Sequence, residues 1–160
     1  MDPNIEWPLV SNVIRGHSTH NTFGMVRTYE NGTPKPHQGW DFQAQVGTAA
    51  YAISDGKIAW LKDQGDYGLQ LCMGFKFQGK TLYAFYAHLK LIYVTKDQIV
   101  EANDLVAACG KSGNASNLPA AEDHLHFEIR TKEHPGFGLH DRLSPVKVFG
   151  HCPLYAPVAG

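Results

Sequence analysis

Cysteine is scarce in this sequence, and neither sign of charge is in excess. The three cysteines in 160 residues, Cys72, Cys109 and Cys152, do not have zinc-finger spacing, and an odd number leaves at least one thiol unpaired within a monomer. Two of them fall on predicted strands, where a small buried thiol is unremarkable, and a disulfide would require work outside the cytoplasm. A formal net charge of -1 gives no reason to expect a nucleic-acid or anionic-membrane partner. No apolar run approaches the length of a membrane span, and the acidic start Met1-Asp2-Pro3-Asn4-Ile5-Glu6 lacks the basic and hydrophobic regions of a signal peptide. Internal repeats, low-complexity tracts and interdomain linkers are also missing. We therefore expect one domain over residues 1–160, with its core at about 7–149 and a C-terminal tail at 150–160.

What the sequence does contain is a concentration of metal-ligand chemistry in two short strings. In His124-Leu125-His126-Phe127-Glu128, strand alternation puts His124, His126 and Glu128 on one face and Leu125, Phe127 and Ile129 on the other, so one face is rich in ligands and the other is apolar. A helix would scatter the same groups around its axis, and the run 124–130 is predicted to be a strand. The other string is His37-Gln38-Gly39-Trp40-Asp41. Its i, i+4 spacing would suit a helix, but Pro34, Pro36 and Gly39 crowd it, so a loop running into a strand is expected.

Zinc takes nitrogen and oxygen ligands in tetrahedral geometry, and a hydrolytic site keeps one position for water, so three protein ligands suffice. His37, Asp41 and one histidine of the His124/His126 pair would fill them. Chemistry alone leaves open which of that pair binds metal. A further histidine closes the β-prone run 81–89, which follows the turn signal Gln78-Gly79. Simple alternation places Leu82, Ala84, Tyr86 and His88 on one face there. On that reading Tyr86 either braces the site, donates to an oxyanion or packs as an ordinary aromatic. Glu128 either orients a histidine or is a solvated strand carboxylate pairing with Arg130 or a neighbour.

With these strings in order, the chain resembles the LytM/lysostaphin-type zinc endopeptidases of the M23 family from Trp7 to about Pro145. Asn21-Thr22-Phe23-Gly24-Met25-Val26-Arg27 is similar to the family's opening Ser-x-Phe-Gly-x-Arg segment, and His37 to Asp41 matches its HxxxD motif. Gly47-Thr48, Ala52 and Asp55-Gly56-Lys57-Ile58 resemble the hairpin that follows, and Asp66-Tyr67-Gly68 the next turn. Tyr86-Ala87-His88-Leu89 matches YxHL, Gly110-Lys111-Ser112-Gly113 the glycine turn, and His124 to Arg130 the HLHFE motif. The resemblance implies that His37, Asp41 and His126 bind Zn2+ while His88 and His124 face the substrate. One of those two would take a proton from water, and the other would stabilise the oxyanion or protonate the leaving amine.

The expected fold is mainly β, an antiparallel sheet with a zinc-containing groove and few short helices. Strands are predicted at 57–61, 68–73, 75–77 and 106–109, and a turn or short helix at 95–103. The stretch 114–123 is longer than the short linker usual in the family. Pro119 and two asparagines make it an irregular loop, expected to wall the groove. The function implied is hydrolysis of stem-peptide cross-links in bacterial peptidoglycan, in the periplasm or cell wall. Cleavage of glycine-rich bridges and a non-catalytic binding module are the competing readings, and the five filled site positions count against the second. The missing export signal and wall-binding module fit a toxin-like effector, delivered by a secretion machine and matched by an immunity protein. A phage lysis factor accounts for them equally well.

Overall fold

The run 124–130 is a central strand, and the two strands beside it decide where a site can form. The computed structural model describes residues 2–160. Its strands are β1 (Ser11–Asn12), β2 (Gly24–Thr28), β3 (Pro34–His37), β4 (Trp40–Gln43), β5 (Ala49–Tyr51), β6 (Gly56–Asp63) and β7 (Leu69–Phe77), then β8 (Lys80–Ile92), β9 (Ile99–Val100), β10 (Leu105–Cys109), β11 (His124–Arg130), β12 (Arg142–Leu143) and β13 (Val158–Ala159). One four-residue helix, α1 (Val146–Phe149), and short 3-10 turns complete the described chain. Nine strands make one antiparallel sheet along β12-β11-β8-β7-β6-β9, with β10 between β8 and β5, and β4 beside β11. This is the mainly β architecture that the sequence predicts.

All seven residues of β11 are buried. On one face Leu125, Phe127 and Ile129 enter the main core, where the Phe127 ring lies 5.2 Å from that of Tyr86, 5.8 Å from Phe149 and 6.0 Å from Phe42. Each such aromatic contributes roughly 1.5–3 kcal/mol through burial. On the other face the polar residues His124, His126 and Glu128 are buried too, above a small cluster of Trp60, Cys72, Phe85 and Ala87. Register then aligns the site. Asp41 on β4 lies directly opposite His126, while Ala87 on β8 lies opposite the same histidine from the other side. The tail folds back, with β13 pairing β1 and the buried Asn12 side chain donating to the Leu9 and Val158 carbonyls.

Three local expectations change, and for 95–103 the turn alternative holds. His37 ends a strand, β3, rather than lying in a loop, and Gln38-Gly39 is the break before β4. The separate segments 68–73 and 75–77 are one strand, β7. Residues 95–103 form turns and the two-residue β9, with no helix. Finally, Tyr86 and His88 do not share a face. Between the pairs Leu71↔Tyr86 and Leu69↔Leu89, the single residue Gln70 opposes both Ala87 and His88, and His88 takes a φ of 59°. This bulge swings His88 to the side of Ala87, whereas Tyr86 is fully buried in the core and donates its hydroxyl to the Tyr51 carbonyl.

Gly39, between β3 and β4, lies directly against β11: a Cβ there would run into the Phe127 carbonyl and the Glu128 side chain. Backbone cannot yield as a flexible side chain can. Gly39→Ala should therefore destabilise the fold by roughly 1–3 kcal/mol, measured by urea denaturation, with a denaturation midpoint equal to that of the unaltered protein counting against this packing.

Candidate metal centre and groove

Asp41 Oδ1 is 3.1 Å from His37 Nε2 and 2.9 Å from His126 Nδ1, and all three residues are buried. One donor atom from each lies within 4.8 Å of the others, so the three can hold a metal ion. The outward nitrogens of the two rings are also engaged. His37 Nδ1 is 2.8 Å from the Thr22 carbonyl, and His126 Nε2 is 2.7 Å from Glu128 Oε2. Every one of these four contacts ends on an oxygen that only accepts. Two neutral imidazoles bring two N–H groups between them, and three even if one ring is protonated, so at least one contact sets lone pair against lone pair unless a cation lies between. The donor set thus fits a dication, with the outward hydrogen bonds fixing each ring's tautomer and angle.

The second oxygen of Asp41 is just as crowded. Arg15 Nη2 donates to Oδ2 at 2.9 Å and Arg27 Nη2 at 3.1 Å, and both guanidinium groups also donate to Asn21 Oδ1. Burial opposes ionisation of Asp41, but hydrogen bonds from His126 and His37 outweigh it and hold its carboxyl well below the usual range. For His126 burial likewise disfavours the cation, and the bonds to Asp41 and Glu128 prevail, pushing it up to about 9. His37 goes the other way, lowered chiefly by burial.

His88 and His124 stand beside this set, their rings 5.1 Å apart. His88 Nδ1 donates to the Ser112 carbonyl at 2.8 Å and His124 Nδ1 to the Glu122 carbonyl at 2.9 Å. Nε2 of each therefore carries the lone pair. Burial keeps both neutral, and with the neighbouring imidazoles it lowers His88 to about 4. The cleft they line, about 750 Å³ in volume, also includes His37, Asp41, His126 and Tyr67. Asn114 and Leu118 of the stretch 114–123 line it as well, and that stretch forms two 3-10 turns, Gly113–Asn117 and Ala120–Glu122.

Glu128 orients a histidine and also pairs with arginine, but fully buried rather than as a solvated strand carboxylate. Oε2 meets His126 and accepts from the Tyr67 hydroxyl at 2.7 Å; Oε1 accepts from Arg130 Nε at 2.8 Å and Arg142 Nε at 2.6 Å. Burial opposes its ionisation too, and these partners hold its carboxyl below the usual range. Arg142 goes on to donate to the Gly136 and Gly138 carbonyls, and Gln38 links Tyr67 to the Gly138 amide, so the rim 134–137 is fastened to His126 through one carboxylate. Of these residues, Tyr67 was visible beforehand only as part of a turn motif. Arg15 and Arg142 had no signal, each being a single arginine outside any patterned segment of the sequence. Removing one partner of a buried charge cluster leaves an uncompensated charge, so Arg142→Met should lower stability by roughly 3–5 kcal/mol. Chemical denaturation checks this, and a loss below about 1 kcal/mol would show the cluster to be redundant.

Known proteins resemble this chain in sequence and fold. Peptidoglycan DD-endopeptidase ShyB of Vibrio cholerae is 31% identical over 100 residues, which are 62% of this chain and 22% of that protein. The chain spans about a fifth of the length of the curated relatives it matches. Among solved structures, the catalytic domain of the antimicrobial peptidase lysostaphin from Staphylococcus simulans has the same fold, with a TM-score of 0.65, 24% identity, and coverage of 81% of this chain and 90% of that one. A zinc-containing peptidase from Vibrio cholerae is 25% identical with a TM-score of 0.61, covering 78% of this chain and 37% of that one. The family model for peptidase family M23 matches residues 35–136, a span that holds His37, Asp41, His88, His124 and His126, and the chain belongs to that family.

Proposed function

We propose that this protein is a zinc endopeptidase that hydrolyses peptide bonds of bacterial peptidoglycan at stem-peptide cross-links, in the periplasm or cell wall, with residues 7–149 as its peptidase core. The carrying observation is the convergence of His37 Nε2, Asp41 Oδ1 and His126 Nδ1, where acceptor contacts outnumber the available protons. The substrate class is supported by ShyB, a peptidoglycan DD-endopeptidase by name. An open cleft suits an extended peptide better than a closed pocket would.

His37, Asp41 and His126 would hold the zinc. When bound, the ion supplies Lewis acidity that acidifies water and polarises the scissile carbonyl. The remaining chemistry falls to the two free imidazoles. With Nδ1–H tied to the Ser112 and Glu122 carbonyls, His88 and His124 both offer Nε2 as a base. One takes the proton of the attacking water, and the other, once protonated, stabilises the developing oxyanion or delivers its proton to the leaving amine. Glu128 holds the His126 ring so that Nδ1 faces Asp41, and Tyr67, stacked 5.3 Å from that ring, covers it from the cleft side.

Metal and turnover should separate on substitution. Asp41→Ala is expected to lose zinc and hydrolysis together, measured by metal analysis and by digestion of purified peptidoglycan with mass spectrometry of the products. Full zinc occupancy in that variant would overturn the ligand assignment. His88→Ala and His124→Ala should keep zinc and lose about a hundredfold or more in turnover each; near-normal hydrolysis by either would reassign that histidine to a structural role.

A further inference from the structure

The cleft is far more basic than the chain. Arg15, Arg27, Lys35, Lys62, Arg130 and Arg142 line it, against Asp41 and Asp66, in a protein of formal charge -1. At one end the excess has an internal explanation, since Arg130 and Arg142 both bond to Glu128. At the other end the internal explanation is incomplete. Arg15 and Arg27 share a single oxygen of Asp41, whose other oxygen is already committed to His37 and His126. Neither arginine has a protein partner for Nη1 among the described residues.

The hairpin β2–β3 adds a third cation there. Lys35 is the direct cross-strand partner of Arg27, an arrangement of like charges that is normally destabilising. Its ammonium rests 5.3 Å from the centre of the Tyr29 ring and has no carboxylate partner among the described residues. A fold that only needed to neutralise Asp41 would need one arginine. Three cations at one cleft end suit an anion brought by the ligand, and on a peptide that anion is a carboxylate, which a guanidinium recognises through paired N–H groups.

We propose that Arg15, Arg27 and Lys35 form a carboxylate-binding subsite beside Asp41, so that the bond cut lies next to a free carboxylate of the substrate; this rests on the peptidase reading above. It favours stem-peptide cross-links, which carry such carboxylates, over glycine bridges, which do not.

The test uses two cross-linked stem-peptide dimers that differ only in whether the carboxyl groups flanking the cross-link are free or amidated. The zinc-loaded protein should cut the free form with about tenfold higher kcat/KM, the scale of one charge-assisted hydrogen bond. Lys35, which makes no hydrogen bond to Asp41, is the residue to vary: in Lys35→Gln and Lys35→Glu the ratio between the two dimers should fall toward one. Calorimetric titration with the same dimers should show the same preference in affinity. Equal kcat/KM for the two dimers, or a ratio unchanged in Lys35→Glu, would overturn the subsite while leaving the peptidase reading intact. Failure to cut either dimer, with binding that still prefers the free form, would instead overturn the peptidase reading and keep the subsite.

Discussion

Everything in the site depends on one buried carboxylate. Asp41 is 2% exposed and directs its two oxygens to opposite tasks, Oδ1 toward the His37 and His126 rings and Oδ2 toward two guanidinium groups. A lone carboxylate this deep would be neutral, because burial penalises the ion by several kcal/mol. It stays ionised because the partners are already in place. The β4–β11 register sets Asp41 opposite His126, the two-residue break after β3 brings His37 within 3.1 Å, and the irregular segment before β2 supplies Arg15. Shifting the chain by one residue within β4 would exchange Asp41 for a neighbour, Trp40 or Phe42, that points to the apolar core.

A second buried carboxylate, Glu128, extends the arrangement outward. It lies two residues along the same face of β11, so strand alternation alone puts it behind His126. Its other oxygen binds Arg130 and Arg142, and the Arg130 guanidinium also stacks 3.7 Å above the Phe85 ring. Breaking such a cluster costs more than forming it gains, since a lost partner leaves its charge stranded in a medium that cannot solvate it. The cluster therefore works as a specification of geometry. It couples the angle of the His126 ring to the position of the cleft rim, because the arginines that satisfy Glu128 also hold the main-chain carbonyls of residues 133, 136 and 138.

Much of this was legible in the sequence where local periodicity or an ordered motif carried it. The strand 124–130, its two faces and the antiparallel β-rich architecture follow from alternation and turn signals, and the grouping of His37, Asp41 and the His124/His126 pair from ligand chemistry and the ordered motifs. What was not legible depended on distant pairing. The helical alternative for 95–103 failed because Ile99 and Val100 are claimed by the edge of β6, a tertiary contact that overrides local preference. The proline-rich approach to His37 became a strand because its partner is β2, where bulging absorbs the irregularity. Arg15 and Arg142 could not be singled out at all: their importance comes from where Asp41 and Glu128 lie in space, and neither sits in a pattern.

The misplaced face of Tyr86 shows how a single backbone angle can carry function. In a regular strand, Tyr86 and His88 would point together, and the sheet could satisfy either the core or the site but not both. The bulge opposite Gln70 removes the conflict by letting Ala87 and His88 share a face, at the cost of a positive φ on a residue that is not glycine. Two bonds hold that conformation: the His88 amide donates to the Tyr67 carbonyl at 2.9 Å, and its ring donates to the Ser112 carbonyl at 2.8 Å. Both acceptors belong to the glycine turns that precede Leu69 and follow Gly110. Gly68 and Gly113 pack there so closely that a Cβ on either would strike the other's backbone. The strain at His88 is thus fixed by the same two turns that close this end of the groove, and the imidazole is held where the cleft needs it while Tyr86 keeps its place in the core.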